Sequence, residues 1–159
     1  MEDKKNSIPP RILFLLEKTD FINVATCGRS LKPSGAFKFL LKIEGNNIYL
    51  VDFAKARTWH NVKKNPFVSL SILDNDTLID YQLNGDVEII EGGELFAKLD
   101  EELDKKEITF ATKRVIESVR RQKKYKAEIP LAEKIVILKV EIKEVIELGP
   151  AAELKIQKG

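Results

Sequence analysis

Apolar and polar residues alternate along this chain in short blocks, with turn-forming residues between them. Near the start, Ile12, Leu13 and Leu16, with Phe14, form a stripe at helical spacing behind Ser7, Pro9 and Pro10. Serine suits an N-cap and proline the first helical turn, so a packing helix is predicted over 8–18. The run FINVATC at 21–27 predicts a strand buried on both faces. After a turn over 28–33, a second strand is predicted over 34–44. It has Phe37, Phe39, Leu41 and Ile43 on one face and Lys38 and Lys42 on the other. The tetrapeptide EGNN at 44–47 is a hairpin signal, and a third strand begins at Ile48.

A short polar helix follows and must stop by Asn65, because Pro66 disfavours helical backbone in the residue before it. A fourth strand over 67–73 turns Val68, Leu70 and Ile72 one way and Ser69 and Ser71 the other. After a turn over 74–76, a long fifth strand is predicted over 77–90, with a bulge at Asn84 and Gly85 where it bends. Five consecutive strands with short antiparallel connections predict a closed or nearly closed barrel, since closure removes exposed edges.

Beyond Gly92 and Gly93, Leu95, Phe96, Leu99 and Leu103 predict a helix over 94–104. A second helix, over about 109–126, has Val115, Ile116 and Val119 as its apolar positions. It also carries Lys113, Arg114, Arg120, Arg121, Lys123, Lys124 and Lys126, a run that reads as a solvated face. The last strand, over 134–148, puts Val136, Leu138, Val140 and Ile142 inward and Lys139, Glu141 and Lys143 outward, and Gly149 and Pro150 end it. The tail over 151–159 packs locally or frays. One domain over 1–159 is expected, with an N-terminal helix at 8–18, the barrel at 21–91 and 134–148, and a helical insertion at 93–127.

Composition narrows the function. With 27 Lys and Arg against 25 Asp and Glu, the net charge is +2, too balanced for a general nucleic-acid binder. The single cysteine, Cys27, rules out an internal disulfide and a cysteine-based metal cluster; it predicts a reducing, cytoplasmic setting and no metal. It suits a small buried hydrophobe better than a nucleophile. No stretch reaches the roughly 20 apolar residues of a membrane span, and the N-terminus lacks the apolar core of a signal peptide.

The candidate chemistry lies in IYLVDFAKARTWHNVKKNPFV at 48–68. Lys55, Arg57 and Thr58 stand at the mouth of the short polar helix, where unpaired N–H groups and the positive end of the helix dipole favour an anion. Arg57 offers a planar fork and Lys55 a mobile point charge. The same residues also suit an ordinary wet helix face. Ser34, Gly35 and Ala36 are small enough to let a flat ligand approach the backbone, or simply to ease a bend. Trp59 reads as a core or interface anchor, and His60, the only histidine, is not assigned a catalytic role.

The order of FINVATC, Lys32-Pro33, IYLVDF, Arg57-Thr58 with Asn61, Asn65-Pro66 with Val68 and Ser69, and YQLNGDVEII resembles the FMN-binding split-barrel family that includes pyridoxamine 5'-phosphate oxidase. The resemblance is strongest to small archaeal-type members. It covers about 21–91, with a weaker match in the last strand. It implies a mainly β fold with flanking helices, a six-stranded antiparallel split β-barrel, assembled as a homodimer with FMN at the subunit interface. By position it places the flavin phosphate against Lys55, Arg57 and Thr58, with Asn61 supporting the turn. The ring would lie along Ser34, Gly35, Ala36 and Phe37 and along Val51 and Asp52. Tyr81 and Gln82 match a stretch that in relatives lies near the flavin, often from the partner subunit. Two positions depart from the family pattern: Arg57 stands where many relatives have lysine, and Gly35 where many have proline.

The activity implied is a flavin-dependent oxidoreductase of a small molecule, in which the cofactor performs the transfer and the polypeptide binds and orients it. The absence of a Ser-His-Asp set or an obvious acid-base pair fits that division of labour, and catalytic residues stay unassigned. A non-enzymatic flavin carrier or electron-transfer protein on the same barrel is the alternative, as is a relative that binds a deazaflavin or haem.

Overall fold

The computed structural model describes residues 8–53, 55–120, 135–150 and 154–158. Its elements are α1 (Pro10–Glu17), β1 (Phe21–Cys27), β2 (Pro33–Glu44), β3 (Asn47–Asp52), α2 (Arg57–Lys64), β4 (Phe67–Asp74), β5 (Ile79–Ile90), α3 (Gly93–Arg120), β6 (Val136–Leu148) and β7 (Leu154–Lys158). Ser7, Lys134 and the 121–126 part of the basic run lie outside the described residues.

The strands form one antiparallel sheet in the order β3-β2-β1-β4-β5-β6-β7, and β3 also pairs with β6. That pairing, from Asn47↔Glu141 to Asp52↔Val136, closes six strands into the expected barrel. Alternation explains the interior. Ile22, Val24, Leu40, Ile48, Leu50, Leu70, Leu83, Leu138 and Val140 are all buried in one core, and the intervening residues point out. Helix α1 closes one mouth with Ile12 and Leu16, while Phe14 stays exposed.

Two bulges shift the alternation. Between Asn84 and Gly85 the β5–β6 register slips, and a Cβ on Gly85 would collide with the carbonyl oxygen of Glu141. Only glycine lets β6 pass that close, which is why β6 turns Ile142 inward and then Val145 rather than Glu144. The second bulge, between Leu40 and Lys42, splits β2.

That second bulge separates Ile43, which packs against the barrel core, from Phe39 and Leu41, with which it was predicted to share a face; before the bulge the alternation holds, but the lysine side is the inner one. Lys38 pairs with Ile22 on the inner face and is buried, with its Nζ 2.8 Å from Asp52 Oδ1. Phe37 points outward and is 70% exposed. Phe39 and Leu41 are buried, but in a second core outside the barrel, where Leu99 and Leu103 of α3 cover Tyr49, Val51, Ile90 and Ile137.

Three further boundaries differ from expectation. Strand β5 starts at Ile79 because Asp74 holds the preceding turn, accepting from the Asp76 N–H at 3.0 Å and the Thr77 hydroxyl at 2.8 Å. Helix α3 is continuous where a break was expected between 104 and 109, since Lys105, Lys106, Glu107 and Ile108 include no helix breaker. The tail is neither frayed nor merely packed over 154–158: it adds β7 to the second half of β6, through pairs from Glu144↔Lys158 to Leu148↔Leu154.

Candidate functional site

Helix α2 begins at Arg57 after the N-cap residue Ala56. Alanine has no side-chain acceptor, and no acidic residue stands in the first turn, so no side chain of the helix's own cap or first turn satisfies its leading N–H groups. The helix ends at Asn65, ahead of Pro66, as predicted. Thr58 and Val62, four residues apart, are buried, where α2 packs on β1 and β2. Arg57 and His60 are exposed.

Asn61 and Asn65 tie this helix to the end of β1. The Asn61 carboxamide donates to Thr26 Oγ1 at 3.0 Å, and the Asn65 carboxamide donates to the Cys27 carbonyl at 2.9 Å. Gly28 permits the contact, because a Cβ there would lie 2.6 Å from Asn61 Oδ1. Across the β1–β2 ladder, Ser34, Gly35, Ala36 and Phe37 face Thr26, Ala25, Val24 and Asn23 in turn. The α2 helix and the small start of β2 therefore share β1 as a common support.

The cations are held differently. Lys55 Nζ lies 3.2 Å from Glu91 Oε1, and the same oxygen accepts from Trp59 Nε1 at 2.8 Å. The Trp59 hydrogen bond, with Lys55 beside it, holds the Glu91 carboxyl below the usual carboxylate range. Trp59 also carries Lys63 over its ring, 3.8 Å from the centroid. Arg57 makes no ion pair among the described residues. Glu91 was not singled out from the sequence: it lies far along the chain from Lys55, and no local pattern marks it.

Three predicted ligand-facing residues turn elsewhere. Val51 is fully buried under α3. Asp52, only 2% exposed, binds Lys38 inside the barrel. Tyr81 is 1% exposed in the barrel core, whereas its neighbour Gln82 lies in register with Ser71, which pairs with Asn23 and so with Phe37. Successive strand residues point to opposite faces, so the side chains of Tyr81 and Gln82 cannot line one ligand together. Gln82 alone shares the outer face with Phe37.

Among the described residues nothing covers that outer face on β1, β4 and β5, opposite the side that α3 covers. It presents Asn23, Ala25, Ser69, Ser71 and Asn84, all partly exposed, while Phe37, Phe67 and Leu73 stand 70%, 65% and 51% exposed. A groove of about 810 Å³ crosses it, bordered by Cys27, Phe67, Ser69, Asn84 and Lys143. Among the described residues, no group of His, Cys, Asp and Glu is arranged to hold a metal ion, and no helix is long and apolar enough to cross a membrane.

Comparison with known proteins gives consistent results. A family model described as pyridoxamine 5'-phosphate oxidase matches residues 8–148. No significant match is found among curated protein sequences. Among solved structures, a protein related to general stress protein 26, of the pyridoxinephosphate oxidase family, from Clostridium acetobutylicum aligns at 19% identity and a TM-score of 0.66, covering 93% of this chain and 92% of that one. A pyridoxamine 5'-phosphate oxidase-related, FMN binding protein from Nostoc punctiforme aligns at 11% identity and a TM-score of 0.57, covering 96% and 98%. A heme binding protein from Mycobacterium smegmatis aligns at 17% and 0.59, covering 91% of this chain but 55% of that one. At these identities the structural likeness concerns the fold.

Proposed function

The chain belongs to the pyridoxamine 5'-phosphate oxidase family, and from that premise we propose that it is an FMN-binding flavoprotein acting as an oxidoreductase on a small molecule. The observation that carries this reading is the first turn of α2: a helix start capped only by alanine, flanked by Lys55 and Arg57, on the same β1 support as the small start of β2. This donor set fits a phosphate. Lys55 and Arg57 supply charge, the leading N–H groups supply donors, and Asn61 holds the helix in place. Thr58 is buried, so its part is to seat the helix, with its backbone N–H facing the anion.

The flat ring rests against Ser34, Gly35, Ala36 and Phe37, while Asp52, inside the barrel, holds Lys38 of that same strand, β2, and Val51 packs on the opposite face under α3. FMN, when bound, supplies the hydride or electron transfer. The residues of this chain bind it, orient it and keep the interior dry. In this reading the bare face of β1, β4 and β5 meets a second copy, so that Phe37, Phe67 and Leu73 are buried in a homodimer and Gln82 reaches the partner's flavin. The setting is cytoplasmic.

The M. smegmatis neighbour binds haem, but the only histidine here, His60, is exposed on α2 and packs edge-on to Trp59 with ring centroids 4.9 Å apart. That placement favours flavin over an axially ligated haem. The test is FMN titration of the wild-type chain and the double variant Lys55→Ala/Arg57→Ala, followed by flavin fluorescence. Loss of two charge-assisted hydrogen bonds should weaken FMN by about a hundredfold or more; undiminished affinity removes the phosphate assignment. Reduction of the bound flavin by NADH or NADPH separates the oxidoreductase from a carrier reduced only by a protein donor.

A further inference from the structure

Glu91 follows the last residue of β5. Ile90 pairs with Ile137 on β6, and Asp52, the last residue of β3, pairs with the adjacent Val136. Glu91 and the segment that leads into α2 therefore leave the barrel at the same end, on neighbouring strands. There one carboxylate oxygen of Glu91 collects two donors, Lys55 Nζ at 3.2 Å and Trp59 Nε1 at 2.8 Å. Trp59 and Lys63 stand four residues apart on one face of α2. The Lys63 ammonium lies 3.8 Å from the indole centre and that of Lys55 5.2 Å from it.

Lys55 cannot hold Glu91 and serve the mouth of α2 with the same ammonium group. Its hold on Glu91 is weak, because the two side chains are 34% and 40% exposed and ion pairs in that setting shift an equilibrium by at most about fivefold. Letting go does not strand the carboxylate. Glu91 keeps the Trp59 N–H, stays open to water and still feels the charge of Lys63. A phosphate monoester carries about two negative charges near neutral pH, so at the first turn of α2 it attracts Lys55 more strongly than a carboxylate does. A singly charged anion gains no such advantage over Glu91.

We infer that Glu91 is a built-in competitor for the anion: without ligand it holds Lys55, and an incoming phosphate monoester displaces it and draws Lys55 to the helix mouth. This rests on the phosphate reading of α2. Glu91 is then a positioning residue that keeps Lys55 close to its task and selects a doubly charged anion over a singly charged one.

The test titrates FMN and riboflavin, followed by flavin fluorescence, into wild type, Glu91→Gln, Lys55→Ala and the double variant. Glutamine still offers Trp59 Nε1 an acceptor, so α2 stays seated. Glu91→Gln should bind FMN about threefold more tightly than wild type, and the gain should vanish in the Lys55→Ala background. Riboflavin, which has no phosphate, should bind wild type and Glu91→Gln alike. A second readout needs no ligand. The chain has one tryptophan, hence one indole N–H signal in NMR spectra, and Lys55→Ala should shift it. Unchanged or weaker FMN binding by Glu91→Gln is the result for a residue that only seats the helix, and it would overturn the inference. So would an equal gain in the Lys55→Ala background or for riboflavin. If the indole signal shifts as expected but none of the four proteins takes up FMN, the phosphate reading itself fails, and the inference with it.

Discussion

Replacing Asp52 by alanine should cost more stability than any surface charge change in this protein. Lys38 and Asp52 meet at 2.8 Å with side chains only 10% and 2% exposed. At that distance their gross attraction is about 6 kcal/mol for an effective dielectric near 20, most of it offset by taking both charges out of water. Removing Asp52 leaves the Lys38 charge buried without its carboxylate, so Asp52→Ala should lose about 3–5 kcal/mol. At roughly 2–4 °C per kcal/mol for a chain of this size, the melting temperature should fall by about 10 °C. Lys38→Met should also lose stability, and Lys38→Met with Asp52→Ala together should lose clearly less than the two single losses added, because the pair is then removed as a unit. The assay is urea unfolding of all four proteins, with an unchanged slope showing that the folded state is intact. A loss below about 1 kcal/mol for Asp52→Ala, or additive losses in the double variant, would refute a coupled internal pair. It would return Asp52 to the candidate ligand surface.

Two further outcomes follow from the bulge and the β4–β5 turn. Gly85→Ala puts a methyl group onto the Glu141 carbonyl and should cost about 1–3 kcal/mol in the same unfolding assay; a neutral result would mean that β6 does not pass that close. Asp74 is held below its ordinary value of 3.8 first by the Thr77 hydroxyl, with the Asp76 N–H and Arg11 also lowering it and burial opposing them. A lowered folded-state value gives stability that is present above the unfolded value and lost as pH falls below it through the folded one. Asp74→Asn should therefore be less stable than wild type at pH 6, and the difference should shrink below pH 4. A constant difference across that range, measured by thermal melts, would contradict the shift.

Where one face is buried and the other wet, the strands could be read directly. Val68, Leu70 and Ile72 against Ser69 and Ser71 fixed β4, and Asn84-Gly85 marked a real bulge because only glycine tolerates the Glu141 carbonyl. The face of β2 could not be read, since Lys38 looks like an outward residue until the distant Asp52 is brought beside it. Strand β7, LKIQK, is short and half polar, so it carries little pattern of its own and forms only because β6 offers an open edge. The helix mouth of the candidate site was legible locally, in Lys55, Arg57 and the stop at Asn65-Pro66. What binds Lys55 was not, because Glu91 reaches it through the fold. Tyr81 and Gln82 were read as a unit from resemblance, and strand alternation separates them.

The most direct measurement is the visible spectrum of the freshly purified chain, with mass spectrometry of the small molecule released on denaturation. A flavin absorption spectrum is predicted, with FMN as the molecule released. Colourless protein that also fails to take up added FMN would contradict the phosphate grip at α2, and a bound haem or deazaflavin would replace the cofactor.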